Sequence, residues 1–297
     1  MTELTSVLHT KKRRSFGAWF KQVGWKHVVA WAVAVYAIFP IVYIISTSLT
    51  NMGGIENGTL FGQIDFSNYA NLVSDPEHPY LLWAWNTIFI ASVTAVLSVM
   101  MSALAAYAFS RLRFKGRRMG LLSLILIQMF PSMLGLVAIF GILSALSDYL
   151  PGIGLGTQWG LILVYLGGSL GGGTYLMYGF FNTVPKEIDE AAKIDGATHT
   201  QVFFTIILRL VTPILAVMAL LSFIGTASDY LLASIVFSKS EQFTLAVGLG
   251  TLIDDPHSKN WAMFSAGAVL AATPIVILFM TLQRYIVSGL VGGAVKG

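Results

Sequence analysis

The stretch PKEIDEAAKIDGA, residues 185–197, is a strongly polar run inside an otherwise apolar chain. Charge-free segments flank it on both sides, at 149–185 and 210–228. An apolar segment of about 20 residues is long enough to cross a bilayer as a helix. The run is therefore predicted to lie in a short polar loop, residues 181–209, that joins two membrane spans.

The rest of the chain repeats this pattern of long apolar segments. Of its 297 residues, 56% are hydrophobic and 11% are charged, whereas roughly 25% are charged in a soluble domain. The sequence predicts an all-α integral membrane protein. Its six transmembrane helices are predicted at about 28–49, 86–108, 119–146, 160–180, 210–236 and 262–283.

The basic residues indicate how these spans are oriented, because cytoplasmic loops carry an excess of Lys and Arg. With both termini in the cytoplasm, 16 of the 18 basic residues lie inside, and only Lys239 and Lys259 lie outside. The loop 181–209 is then cytoplasmic. This predicts a basic cytoplasmic leader at 1–27, a six-span domain at 28–290 and a cytoplasmic tail at 291–297.

Several classes of chemistry are excluded by composition. The chain has no cysteine, so it has no disulfide, thiolate metal site or cysteine nucleophile. We expect no metal site, no nucleic-acid partner and no catalytic residues. A G-x-S-x-G match at 167–171 lies inside a predicted span and has no histidine in reach, so small residues for helix packing explain it better than a hydrolase elbow.

The polar loop is predicted to form two short helices. Pro185 and the acidic residues after it favour a helix at about 186–194, and Gly196 ends it. Thr198 with Gln201 forms a capping-box pattern that opens a second helix, at about 199–210. Periodicity alone leaves two interpretations of the first helix open, a docking face or a solvated connector. The face consists of Ile188, Ala191, Ala192 and Asp195.

The residues Glu190-Ala191-Ala192-Lys193-Ile194-Asp195-Gly196-Ala197, followed by Phe203, Leu208 and Pro213, resemble the EAA motif of ABC importer permeases. In that family this loop inserts into a cleft of the ATPase subunit. The resemblance implies an ATPase-docking site, with Glu190 paired to a basic residue of the ATPase. Its residues are Ile188, Glu190, Ala191, Ala192, Asp195, Gly196, Ala197, Phe203 and Leu208.

Other segments resemble the maltose/maltodextrin type of these permeases. They are Tyr107–Gly116, Gln128–Pro131, Thr244–Gly248 and Gly292–Gly297. One residue departs from the pattern, since Arg209 stands where the family usually has a proline. We therefore expect the turn into the fifth span to be made differently, with the option that the helix continues there without a kink.

The resemblance implies a type I ABC importer permease in a bacterial cell membrane that couples ATPase closure to alternating access. Its partners would be a second, similar permease, two cytoplasmic ATPases that use ATP and magnesium, an extracytoplasmic sugar-binding protein and the lipid bilayer. This chain would hold no cofactor and hydrolyse nothing. The outer loop 238–261 would reach into the binding protein, and tail residues Gly293, Val295 and Lys296 would contact the ATPases. Maltose, maltodextrins, trehalose and other oligosaccharides are not distinguished.

Asp229 lies in the outer part of the predicted fifth span, where a charged group is costly. It either lines the translocation path or makes a hydrogen bond between helices. An ion-coupled secondary transporter of small polar solutes is the alternative function. Such proteins show repeats, broken helices and several ionisable groups near the membrane midplane, and this chain offers one off-centre acid.

Overall fold

The computed structural model describes residue 17 and residues 20–50, 60–62, 64–254 and 259–294, with the backbone alone at 132 and 285–294. These residues contain helices and no strand. The main helices are α1 (Trp25–Ser48), α2 (Ser67–Ser74), α3 (Tyr80–Arg111), α4 (Arg117–Gln128), α5 (Leu136–Tyr149), α6 (Gln158–Phe181), α7 (Lys186–Ile194), α8 (His199–Leu210), α9 (Thr212–Ala227), α10 (Leu231–Val236), α11 (Leu245–Asp254) and α12 (Trp261–Ala294). Within α8, residues Val202–Ile207 are π-helical.

Helix α3 is the centre of the bundle. It packs along α6 and α9, while α12 packs on α9, α1 and α11. Small side chains on α3 are completely or almost completely buried, among them Ala91, Ala95, Ala103 and Ala106. Small residues let the backbones of membrane helices approach closely, which explains why α3 can contact so many neighbours.

The membrane spans are only partly the ones predicted. Four helices are long and apolar enough to cross a bilayer: Phe20–Ser48, Tyr80–Arg111, Gln158–Phe181 and Trp261–Arg284. The predicted third and fifth spans are each broken. Arg117–Gln128 and Met133–Tyr149 meet at 84°, and His199–Leu210 and Thr212–Ala227 meet at 79°. The described residues therefore contain four spans, or up to six if each bent pair is one span.

The bend of 79° before α9 excludes the option of a helix that continues without a kink at Arg209. Pro213 lies at the second position of α9, where its ring would clash with the carbonyl of Arg209 four residues earlier in a continuous helix. The Thr212 hydroxyl donates to the carbonyls of Leu208 at 3.0 Å and Arg209 at 2.9 Å. Carbonyls left free by the proline are thus satisfied locally, and the chain bends at Val211 although no proline stands at position 209.

The predicted fifth span, 210–236, also ends earlier than expected. Helix α9 stops at Ala227, and the separate six-residue helix α10 follows after a break at 228–230.

The bundle has two distinct ends. The α7 end carries α7, α8 and the end of α3, and the α11 end carries α2, α10, α11 and the start of α3.

Candidate functional site

Helices α7 and α8 form a polar connection between α6 and α9, which we call the α7–α8 loop (residues 186–210). Their bounds confirm the two predicted helices. Gly196 follows α7 with φ +86°, a conformation that is unfavourable for residues with a Cβ atom. The capping box is also confirmed: Thr198 Oγ1 accepts from Gln201 N at 3.3 Å, and Gln201 Oε1 accepts from Thr198 N at 2.8 Å.

The side of α7 that faces away from the bundle is not quite the predicted one. Ala192 is 8% exposed and packs inward, so it cannot belong to an outward docking face. Glu190 and Ala191 are exposed, and Ile188 is half-buried. Ile194, which lies outside the predicted face, is 87% exposed. Asp195 and Gly196 are exposed, and Ala197 is half-buried. The outward stripe is therefore rotated by about one residue, or ~100° around the helix.

Phe203 and Leu208 anchor the α7–α8 loop through contacts on its buried side. Phe203 is 2% exposed and its ring lies 5.1 Å from that of Tyr107 on α3. Leu208 is partly buried against the same cluster. The buried members of this cluster are Ala103, Ala106, Tyr107, Met177, Phe181, Ala192, Val202, Phe203, Ile207 and Val211. These two predicted site residues therefore fix α8 against α3 and α6 instead of facing outward.

Arg111, the last residue of α3, is tied to the start of α7. Its Nη2 donates to the backbone carbonyl of Val184 at 2.8 Å, and its Nε lies 2.5 Å from Asp189 Oδ2. The two side chains are 5% and 8% exposed. The contact has the distance of an ion pair but not the angles of a hydrogen bond, and neither carboxylate oxygen has a hydrogen-bond partner in the described residues. Removing one charge of a buried pair typically costs about 3–5 kcal/mol.

Sequence reasoning missed this pair. Arg111 is one of the basic residues that indicate the orientation of the spans, and Asp189 is one of the acidic residues after Pro185 that favour a helix start. Periodicity shows which residues share a face, but it does not show which face is buried. A cleft of about 620 Å³ opens beside the pair. The charged residues that line it are Arg111, Arg113, Arg117, Lys186, Lys193, Asp189 and Glu190.

At the α11 end, one face of α3 holds the loop at residues 240–245. Asn86 Nδ2 donates to the carbonyls of Glu241 and Phe243, both at 3.0 Å. Trp83 Nε1 donates to the carbonyl of Ser240 at 2.8 Å. Thr87 Oγ1 accepts from the backbone N–H of Leu245 at 2.7 Å. The spacing i, i+3, i+4 places these three α3 side chains on one face, so they fix residues 240–245 as a group.

The remaining predicted residues are placed as follows. Asp229 Oδ1 accepts from the backbone N–H of Leu232 at 2.9 Å and of Ala233 at 3.4 Å, so its carboxylate caps α10. Gly293 lies near the end of α12, and Val295 and Lys296 lie outside the described residues. No group of three metal-ligating side chains occurs in the part of the chain that the structure describes.

The sequence model of the family described as "Binding-protein-dependent transport system inner membrane component" matches residues 98–291. The chain belongs to this family. The match covers residues 98–111 of α3, all of α4 to α11 and most of α12, and it therefore includes the whole α7–α8 loop. Members of the family are membrane components of transporters, so this chain is an inner-membrane transport component with several apolar helices.

Individual members of the family are similar along nearly the whole chain. The maltodextrin transport system permease protein MdxG of Bacillus subtilis is 41% identical over 273 residues, covering 89% of this chain and 93% of that one. The maltose/maltodextrin transport system permease protein MalG is 39% identical in Vibrio vulnificus, over 91% of this chain and 95% of that one. MalG of Escherichia coli is 37% identical, over 88% and 91%.

Solved structures of permease complexes share the fold. A chain from the crystal structure of a bacterial ABC transporter involved in the import of the acidic polysaccharide alginate superposes with a TM-score of 0.74 at 24% identity, covering 92% of this chain and 99% of that one. A chain from an alginate transporter in complex with alginate pentasaccharide-bound periplasmic protein gives 0.63 at 14% identity, over 89% and 96%. At these identities the likeness concerns the fold.

Proposed function

We propose that this chain is the permease subunit of an ATP-driven ABC importer for maltose, maltodextrin or a related oligosaccharide such as trehalose. The observation that carries the proposal is the outward stripe of α7, where Glu190, Ala191 and Ile194 are exposed while the helix is anchored from behind. A helix held in this way can enter a cleft of a partner without losing its own support. The sugar assignment rests on the maltose and maltodextrin relatives, which are similar over nine tenths of their length.

The α7–α8 loop would dock onto one of two cytoplasmic ATPases, which bind and hydrolyse ATP with magnesium. Glu190 would pair with a basic residue of the ATPase, and the exposed Ile194 would fill an apolar pocket beside it. Closure of the ATPases would then switch the spans between inward-open and outward-open states. The chain itself would supply no cofactor and no catalytic group.

The proposal includes the topology and the remaining partners. The basic residues Arg111, Arg113 and Lys115 lie at the α7 end, which supports a cytoplasmic position for that end and for both termini. Residues 1–27 would form the leader, 28–290 the permease domain and 291–297 the tail. A second permease would cover part of the exposed apolar surface, and an extracytoplasmic sugar-binding protein would dock at the α11 end.

The decisive experiment uses the complete transporter in liposomes with its own binding protein. Glu190→Ala is expected to reduce copurification of the ATPase and sugar-stimulated ATP hydrolysis at least fivefold. Asp148→Ala, an exposed acid at the end of α5, is the matched control and should change neither. Normal assembly and normal stimulation in Glu190→Ala would contradict the docking role.

The substrate and the energy source are tested in the same liposomes. A panel of maltose, maltotriose, longer maltodextrins and trehalose is expected to stimulate ATP hydrolysis selectively. Uptake should stop when ATP is withheld and should survive collapse of the proton gradient. Uptake that survives without ATP but fails without the proton gradient would identify an ion-coupled secondary transporter instead.

A further inference from the structure

The contact between α3 and the α7–α8 loop reaches both helices of the loop from one face of one span. Arg111 reaches α7 through Asp189 and the chain just before it through the Val184 carbonyl. One turn earlier, Tyr107 reaches α8, with its hydroxyl 3.3 Å from the carbonyl oxygen of His199.

Apolar packing continues this contact toward the middle of the bundle. Ala103, Ala106 and Tyr107 of α3 are buried in one cluster with residues of both loop helices. Ala192 belongs to α7 in this cluster, and Phe203 belongs to α8. The residues Ala103, Tyr107 and Arg111 recur at four-residue spacing, which places them on one side of α3.

The loop is therefore connected to three spans and not only to the two that precede and follow it in sequence. The chain joins it to α6 and α9, but side chains join it to α3. Of the contacts with α3, the Arg111–Asp189 pair is the one that depends on charge. It is also the contact nearest to the exposed stripe of α7, because Asp189 is the neighbour of Glu190.

We propose that Arg111 and Asp189 are positioning residues that tie α7 to α3, so that a displacement of α7 by the ATPase moves α3 together with it. The inference rests on the proposed function. Neither residue contacts the substrate or the ATPase in this role. Helix α3 is then a span that receives the motion directly, although it is distant in sequence from the loop.

The pair is tested in the complete transporter, reconstituted with its ATPase and binding protein. The measured quantity is the number of sugar molecules imported per ATP hydrolysed. R111Q and D189N are each expected to lower this ratio at least fivefold, because α7 moves without α3. R111K, which keeps the charge, should lower it less than twofold.

Charge reversal distinguishes a tie from a merely structural role. The double variant R111D/D189R is expected to recover at least half of the wild-type ratio, whereas each single reversal should be as defective as the neutral variants. R113Q is the matched control, because Arg113 is an exposed arginine two residues later; it should leave the ratio unchanged. A double reversal no better than the single variants, or an unchanged ratio in R111Q and D189N, would overturn the proposal.

A second readout does not require transport. Amide hydrogen exchange in α7, measured on the purified complex, should be at least tenfold faster in R111Q and D189N than in wild type and should return toward wild type in the double reversal. Unchanged exchange would overturn the tie. If the neutral variants do not assemble, recovery of assembly in the double reversal supports the tie and its failure overturns it. Absence of ATP-dependent uptake by the wild-type complex would refute the proposed function. The hydrogen-exchange measurement would then still test whether Arg111 and Asp189 tie α7 to α3.

Discussion

The side-chain amide of Gln158 donates a hydrogen bond from Nε2 to Oδ1 of Asn86 at 2.7 Å. This bond joins the first turn of α6 to α3 and completes the hydrogen bonding of Asn86, whose two amide hydrogens already reach the Glu241 and Phe243 carbonyls. Asn86 is 2% exposed. One buried amide therefore holds α3, α6 and the loop at residues 240–245 in a fixed arrangement.

Replacing Asn86 by leucine should loosen the loop at residues 240–245. The variant leaves two carbonyls without their donor, and an unsatisfied buried polar group costs about 1–3 kcal/mol. Hydrogen exchange at residues 240–245 is expected to rise about tenfold or more. Asn71→Leu, at an exposed position on α2, is the control and should leave that exchange unchanged. Unaltered exchange in Asn86→Leu would show that Trp83 and Thr87 suffice to hold the loop.

Ile194→Ser should weaken ATPase binding. An isoleucine side chain gains roughly 1.5–3 kcal/mol when it is moved out of water, which corresponds to about 10- to 150-fold in the dissociation constant. The affinity of the purified chain for its ATPase measures this directly. Val73→Ser, at an exposed apolar position on α2, should not change the affinity. An unaffected affinity in Ile194→Ser would place the docking contact elsewhere on α7.

Gly196→Ala should destabilise the end of α7 through its backbone alone. A Cβ atom at this position meets nothing within 4 Å, but φ is +86°, and the left-handed conformation costs an L-residue about 1–2 kcal/mol. Thermal unfolding in detergent is the measurement. Gly179→Ala, which also meets nothing within 4 Å but lies inside α6, is expected to be neutral or stabilising. Equal stability of the two variants would argue against the backbone explanation.

Two variants of Asp229 distinguish its role as the cap of α10 from a role in translocation. Asparagine is a good helix cap, so Asp229→Asn should retain the wild-type stability, whereas Asp229→Ala should lose about 0.5–2 kcal/mol. If the carboxylate only caps α10, uptake by Asp229→Asn equals that of wild type. Reduced uptake in a stable, fully assembled Asp229→Asn complex would instead support a place along the translocation path.

Deleting residues 291–297 should impair coupling, because the predicted tail contact uses Gly293, Val295 and Lys296. Stimulated ATP hydrolysis is expected to fall at least fivefold, while copurification of the ATPase through the α7–α8 loop is retained. Deleting residues 2–10, which spares the basic residues of the leader, is the control. Full stimulation without the tail would remove it from the proposed interface.

Much of the structure of the α7–α8 loop could be predicted from the sequence. The bounds of α7 and α8 could be predicted from local chemistry, because Pro185, Gly196 and the Thr198–Gln201 pair influence only residues close to them in sequence. The kink before α9 could not be predicted in this way. The kink has a local cause, but Pro213 favours a break in the helix, whereas the absence of a proline at Arg209 favours a continuous helix. Only the hydrogen bonds of Thr212 show how the backbone carbonyls at the turn find donors.

The sequence by itself determined the apolar segments, the two loop helices and the family, because hydrophobicity, capping and contiguous motifs are properties of neighbouring residues. Only the tertiary structure decided which side of α7 faces away from the bundle, how Arg111 meets Asp189 and how Asn86 holds the loop at residues 240–245. These contacts join residues that are about 70 to 160 positions apart. Their partners depend on the packing of α3 against α6 and the loops, and nothing in the local pattern specifies that packing.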